Sequence, residues 1–327
     1  MEISEEEKIE FLRELVSIYS PSGEEEKVAK FLLESFESFG IEAYIDEVGN
    51  VIAEKSGKGK RILLAGHMDT VRGYIPIRIE NNYLWGRGSV DAKGPLAAFF
   101  FAFLESDANL IFAGLVDEER YSLGAKNLEI PKPDFIIIGE PSGFEGVTIG
   151  YRGSLTMKFV EKVEKFHGSL RSKGAAEKLI DTWLELSKDF GEGFDNPSGR
   201  ILTFNAYERD FDFYGEMIVN IRTPSNYEPS IKGEILDFVP AYEVSPRSLL
   251  VRAFVRAIRK NGAKPRLKKK LGTADMNILA PKFGVDAVAY GPGDSRLDHT
   301  PYERLNLEEY IASIKILETA LGELANI

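Results

Sequence analysis

The 327-residue chain predicts an α/β protein: a main domain with a largely parallel mixed sheet flanked by helices, carrying an inserted α+β domain of ferredoxin-like βαββαβ order. Three observations predict it. Helices and strands alternate over residues 1–149, the order changes after Gly150, and the first pattern returns from about residue 249. The main domain is therefore expected at 1–149 and 249–327, and the insertion at 150–248.

The elements follow from local pattern. An acidic amphipathic helix runs to Ser20 and a second covers 24–39, followed by strands near 42–55 and 61–66. PLAAFFFAFLE is apolar on every side and reads as a buried helix. In the insertion, SLTMKFVEKV is a strand, GAAEKLIDTWLELSKDF a helix, ILTFNAYERD and EMIVNIRTP strands, EPSIKGEILDFV a helix and YEVS a strand. LLVRAFVRAIRKN, AVAY and LEEYIASIKILETALGELA then give helix, strand and helix.

Composition narrows the class. Apolar residues make up 43% and charged residues 28%, the balance of a soluble globular protein. The N-terminus lacks a signal-peptide pattern, and no apolar run approaches the roughly 20 residues that span a bilayer, so a cytoplasmic protein without a membrane segment is expected. With no cysteine, any metal must be held by His and carboxylate. The net charge of -11 hides ten Lys or Arg and no acid between Val244 and Ala274, read either as a solvated helix and loop or as a docking patch for an acidic partner. Aromatic interleaving is missing there beyond Phe254, which argues against nucleic acid.

Four apolar runs end in liganding side chains: RILLAGHMDT, LIFAGLVDEE, DFIIIGEPS and DAVAYGPGDSRLDHT. Parallel strands would bring those ends together, because chemistry in such sheets collects outside the carboxyl ends. His67, Glu119, Glu140 and His299 then supply two His-plus-carboxylate sets, and Asp91, in the turn before the apolar helix, is the natural bridge between two divalent metals. Zn2+ suits this donor set, with Co2+ or Mn2+ accepted as well. Asp69, two residues beyond His67, is placed to fix the imidazole tautomer. Glu118 precedes a ligand directly and reads as the general base and later general acid.

GHMDTV, WGRGSVDAKG, DEE, GEPS and GPGDSRLDHTPYE, in that order, resemble the dinuclear zinc aminoacylase, deacetylase and carboxypeptidase family. GEPSGFEGVTIGYRG, GTADMN and GPGDSRLDHTPYE are most similar to its lysine/ornithine hydrolases acting on amino-group carrier proteins. The resemblance implies His67 and Glu140 on one metal, Glu119 and His299 on the other, Asp91 between them, and a cis peptide after Asp91. It makes 150–248 a lid and dimerisation domain of a homodimer, in which His167 polarises the scissile carbonyl across subunits. It further implies that Arg222 captures a substrate carboxylate and that Asn205 donates a hydrogen bond from the lid. The implied substrate is an acidic carrier protein whose C-terminal glutamate side chain is joined to the α-amino group of lysine or ornithine, an intermediate of lysine and arginine biosynthesis. Alternatives are a deacetylase of acetyl-lysine or acetyl-ornithine, a small dipeptidase, and a metal-binding protein without catalysis; Glu118 argues against the last.

Overall fold

A computed structural model describes residues 3–169 and 172–326. They form two compact units: one of residues 3–149, 244–268 and 274–326, the other of 150–169, 172–243 and 269–273.

The first unit opens with helices α1 (Glu5–Ser17) and α2 (Glu26–Ser38). Ser4 caps α1 with a capping box closed by Glu7. Strands β1 (Ala43–Ile45), β2 (Val51–Lys55) and β3 (Lys58–His67) follow, then the short β4 (Arg78–Glu80) and β5 (Tyr83–Trp85). Helix α3 (Lys93–Glu105) leads to β6 (Ala108–Leu115), the short α4 (Leu123–Asn127), β7 (Phe135–Gly139) and β8 (Gly146–Tyr151). Apolar residues all round α3 predict burial, and every residue from Lys93 to Phe103 is buried. Phe100 and Phe103 of α3 meet Phe36 of α2 at centroid distances of 4.7 and 5.5 Å. Such tilted and edge contacts add about 0.5–1.5 kcal/mol each beyond area burial.

The second unit contributes β9 (Gly153–Glu164), α5 (Ala175–Leu186), β10 (Ser198–Arg209), β11 (Asp212–Thr223), β12 (Glu234–Val239) and β13 (Tyr242–Glu243). Its four-strand sheet is antiparallel in the order β10-β11-β9-β12. One face is apolar: Leu155, Met157, Met217, Val219 and Ile221 pack with Leu179 and Leu186 of α5. Each such side chain contributes about 1.5–3 kcal/mol by leaving water. The expected second helix, EPSIKGEILDFV, does not form: residues 234–239 are β12, paired antiparallel with β9. Pro229 and Gly233 interrupt the helical stretch, and β9 would otherwise leave a row of N–H and C=O groups unpaired.

The chain returns to the first unit with α6 (Leu249–Lys260), β14 (Arg266–Lys270, whose last two residues count with the second unit), α7 (Met276–Phe283), β15 (Asp286–Tyr290), β16 (Arg304–Asn306) and α8 (Leu307–Ala325). The large sheet runs β1-β2-β6-β3-β7-β15-β8, and its centre, β6-β3-β7-β15, is parallel throughout. These are the four apolar runs singled out in the sequence. Strands β16, β5 and β4 make a separate small sheet.

The basic stretch is a helix followed by a strand, not a helix and loop. Half its cations have a counterpart: Arg256 pairs with Glu323 at 2.7 Å, Arg266 with Glu145 at 3.4 Å and Lys269 with Glu243 at 2.7 Å, while Lys268 donates to the Ser142 carbonyl and Lys270 lies over the Tyr151 ring.

Candidate dinuclear metal centre

Because β6, β3, β7 and β15 are parallel, their carboxyl ends share one edge. His67 is the last residue of β3, Glu118 and Glu119 lie in the turn after β6, and Glu140 follows β7. His299 ends the loop after β15, and Asp91 sits just ahead of α3. The Asp91–Ala92 peptide is cis, and His299 has a φ of 61°, a backbone region that non-glycine residues occupy rarely.

Two donor groups result, His67–Asp91–Glu140 and Asp91–Glu119–His299, the ligand atoms of each lying within 4.8 Å of one another. Nε2 of His67 is 3.4 Å from Oδ1 of Asp91 and 4.0 Å from Oε1 of Glu140. Nε2 of His299 is 3.1 Å from Oδ2 of Asp91 and 3.0 Å from Oε2 of Glu119. Asp91 thus turns one oxygen to each histidine.

Asp69 ties this edge together. Nδ1 of His67 lies 2.9 Å from the Asp69 carbonyl and 3.3 Å from its Oδ1, a setting that places the ring proton on Nδ1. The Asp69 carboxylate also accepts from the Glu118 and Glu119 amides, both at 3.1 Å, and from the Ser22 hydroxyl at 2.7 Å. Burial pushes its pKa up, but His67 and Ser22 outweigh that and hold it below the usual carboxylate value. Nε2 of His67 is then a buried lone pair with no hydrogen-bond partner among the described residues, facing two carboxylates. A divalent cation fits that position: it takes the lone pair and neutralises the carboxylates, which a second hydrogen-bond acceptor could not do.

Burial pushes Glu118 well above the usual carboxylate range; His67 pulls it down, while Glu140, Asp275 and Glu119 push it further up. Hydrogen bonds donated to the Asp91 and Glu119 carboxylates raise the His299 imidazole to about 10, so a cation entering this group displaces a firmly held proton.

Four residues that sequence reasoning did not single out support the cluster. Glu303 is fully buried; its Oε1 accepts from the Val90 and Asp91 amides, both at 3.0 Å, and its Oε2 pairs with Arg87 at 2.7 Å. Arg87 in turn donates to the Gly73 carbonyl at 2.9 Å. Lys93 is buried beside them with its pKa lowered to about 7 by burial, against the pull of Glu303 and Asp69, and it donates to the Ile18 carbonyl. Asp275, at the head of α7, is buried and raised to about 7, first by burial, with Asp69 and Glu140 adding to it. Each lies inside a motif already quoted (WGRGSVDAKG, GTADMN, GPGDSRLDHTPYE), and those motifs were the available signal.

The five expected ligands, with Asp69 and Glu118, therefore stand at one sheet edge, all within the first unit. The other three expected residues belong to the second. His167 is exposed after β9, its Nδ1 2.7 Å from the Ser169 hydroxyl. Arg222, on β11, donates to the Thr273 hydroxyl at 2.5 Å, and Asn205 is exposed on the edge strand β10.

The sequence profile of peptidase family M20/M25/M40 matches residues 63–323. The chain belongs to that family and is a hydrolase of amide bonds. It is 71% identical over 324 residues, 99% of each chain, to a Pyrococcus furiosus protein provisionally named LysW-lysine/LysW-ornithine hydrolase. It is 36% identical to the LysW-lysine hydrolase of Deinococcus radiodurans, over 96% of each chain. A metallo-carboxypeptidase of the M20 family from Sulfolobus solfataricus has the same fold, with a TM-score of 0.80 at 21% identity over 98% of this chain and all of that one. Among the described residues no helix is long and apolar enough to cross a membrane.

Proposed function

We propose that this protein releases lysine, ornithine or both from the carrier protein LysW by hydrolysing the amide that joins them. The observation that carries this is full-length similarity to LysW-lysine/LysW-ornithine hydrolases in a chain that keeps both donor groups and Glu118. His67, Glu140, Asp91, Glu119 and His299 would hold two divalent cations, and the all-nitrogen-and-oxygen donor set suits Zn2+, with Co2+ or Mn2+ as substitutes. When bound, such ions acidify water and polarise the amide carbonyl.

The residues supply the rest. Asp69 keeps the His67 tautomer and the Glu118–Glu119 turn fixed. Glu118 accepts a proton from the attacking water and returns it to the departing amine; its raised pKa suits a group that must hold the proton between those steps. His167 donates to the carbonyl oxygen as it gains charge, Arg222 pairs with the carboxylate of the amino acid, and Asn205 adds a hydrogen bond from the lid. In this reading residues 1–149 and 249–327 are the catalytic part and 150–248 the lid and dimerisation part. The second unit favours a homodimer through its sheet: β10 is an edge strand of 12 residues, and Phe204, Tyr207, Phe211, Ile235 and Phe238 are exposed. A cytoplasmic enzyme of amino-acid biosynthesis is the setting that fits.

The test is a turnover panel on metal-replete protein, comparing LysW-lysine, LysW-ornithine, acetyl-lysine, acetyl-ornithine and succinyl-diaminopimelate. The conjugates should lead in kcat/KM. Efficient deacetylation with no turnover of either conjugate would overturn the proposal.

A further inference from the structure

The face of the β10-β11-β9-β12 sheet that does not pack on α5 is polar, and at the start of β10 it carries two arginines. In the β10–β11 register Ser198 lies opposite Arg222, and Arg200 opposite Asn220. Alternation puts these four side chains on one face, where with Gly199 they line a cavity of about 280 Å³. The floor is fixed: Asn220 donates to the Ser154 and Thr156 hydroxyls at 2.9 and 3.1 Å. Arg222 is held from behind by Thr273, whose hydroxyl donates to the Arg152 carbonyl at 3.0 Å. Arg152 adds a third, buried guanidinium to the neighbourhood; burial and then Arg222 lower its pKa. No Asp or Glu lines the cavity, and Arg200 has no ion-pair partner among the described residues.

We propose that this cavity is a receptor for two carboxylates: Arg222 takes the one on the amino acid to be released, and Arg200 takes a second on the acyl side of the scissile amide. The inference rests on the conjugate reading above. An amide formed by the side chain of a C-terminal glutamate presents both carboxylates, whereas an acetylated amino acid presents one. Three observations carry it. A guanidinium pairs bidentately with a planar carboxylate, and two of them here are diagonal cross-strand neighbours, about 7–8 Å apart at the backbone, a spacing that suits groups separated by several bonds. Their mutual repulsion is relieved by a dianion and only partly by a monoanion. No Asp or Glu is among the residues that line the cavity. Arg200 thereby becomes a specificity-determining residue that reads the free end of the carrier.

The experiment uses a peptide ending in glutamate, conjugated through its side chain to lysine, and the same peptide with the terminal α-carboxylate converted to carboxamide. For the full-length, metal-replete enzyme, carboxamide conversion should raise KM about 10- to 100-fold while kcat changes less than about two-fold, the scale of one lost charge-assisted bidentate contact. Arg200→Gln should raise KM for the free-acid conjugate by the same factor, add less than about two-fold on the carboxamide, and be partly rescued by Arg200→Lys. Equal KM for the two wild-type substrates, or an equal penalty from Arg200→Gln on both, overturns the inference while leaving conjugate hydrolysis standing. Calorimetric binding of the two peptides separates the opposite case: Arg200-dependent preference for the free acid without any cleavage supports the receptor and sinks the hydrolase reading. The wild-type comparison needs no variant, so it stands even if a substitution impairs folding.

Discussion

The two units differ in how far they bury most of their polar site groups, with the exposed His299 of the first and the buried Arg152 of the second as exceptions. In the first, His67, Asp69, Asp91, Glu140, Asp275 and Glu303 are all buried, and most are held by fixed backbone donors or ion pairs. In the second, His167, Asn205 and Arg200 are exposed, and long apolar side chains such as Phe211 and Ile235 are exposed with them. Reactive groups gain from desolvation and a fixed geometry, because both strengthen electrostatics where charge develops. Recognition groups need access, and their energy comes from what they meet.

This contrast can be broken experimentally, starting with the largest effect. Glu118→Gln should lower kcat about 10²- to 10⁴-fold while metal content, read by elemental analysis, stays at the wild-type value. A variant retaining full rate would remove Glu118 from proton transfer. His167→Ala should cost about 10²- to 10³-fold in kcat and leave metal-binding isotherms superimposable on wild type, since it belongs to neither donor group. If metal affinity also fell, the division of labour between the units would be wrong. Glu303→Gln sharpens the other side: weaker support for the Asp91 backbone should reduce metal affinity about 10- to 100-fold in a calorimetric titration, well beyond any change in KM at saturating metal. The smallest effect tests a carboxyl far from the chemistry. Glu318 is raised from 4.5 to about 7, chiefly by burial and then by its hydrogen bond to Glu105. The folded state then binds that proton more tightly than the unfolded one, so its contribution is present below about pH 4.5 and is lost as pH rises to about 7. The group is only partly buried, so solvent screening reduces the effect; Glu318→Gln should raise Tm at pH 8 by about 1–3 °C and flatten its change between pH 5 and 8.

The strands were easy to read for a physical reason. A parallel strand covered on both faces shows an unbroken apolar run, and RILLAGH, LIFAGL, FIIIG and DAVAY are such runs. Their polar last residues stood out against that background. Support from afar did not: Arg87 and Glu303 are 216 residues apart, and only the closed fold shows that one carboxylate serves both Arg87 and the Asp91 amide. The missing second helix has a different cause. Ile231, Ile235 and Phe238 repeat at a helical spacing, but sheet pairing with β9 decided the outcome, as it also did for the three-residue strands β4, β5 and β16, too short to carry any periodicity. Half of the basic stretch being engaged internally was equally invisible, because partners such as Glu323 and Glu145 are remote in sequence.

The Asp69 carboxylate receives donors from Ser22, Glu118 and Glu119 while its own segment sets the His67 ring. A single side chain therefore acts as the keystone of three chain segments, and a defect there propagates to both the base and a ligand at once. Activity loss in Asp69→Asn would look like lost chemistry but would be lost alignment, and combining it with Glu118→Gln should cost far less than the product of the two separate losses. Ranking residues by the damage their replacement does would place Asp69 among the groups that touch substrate, where its bonds show it does not belong.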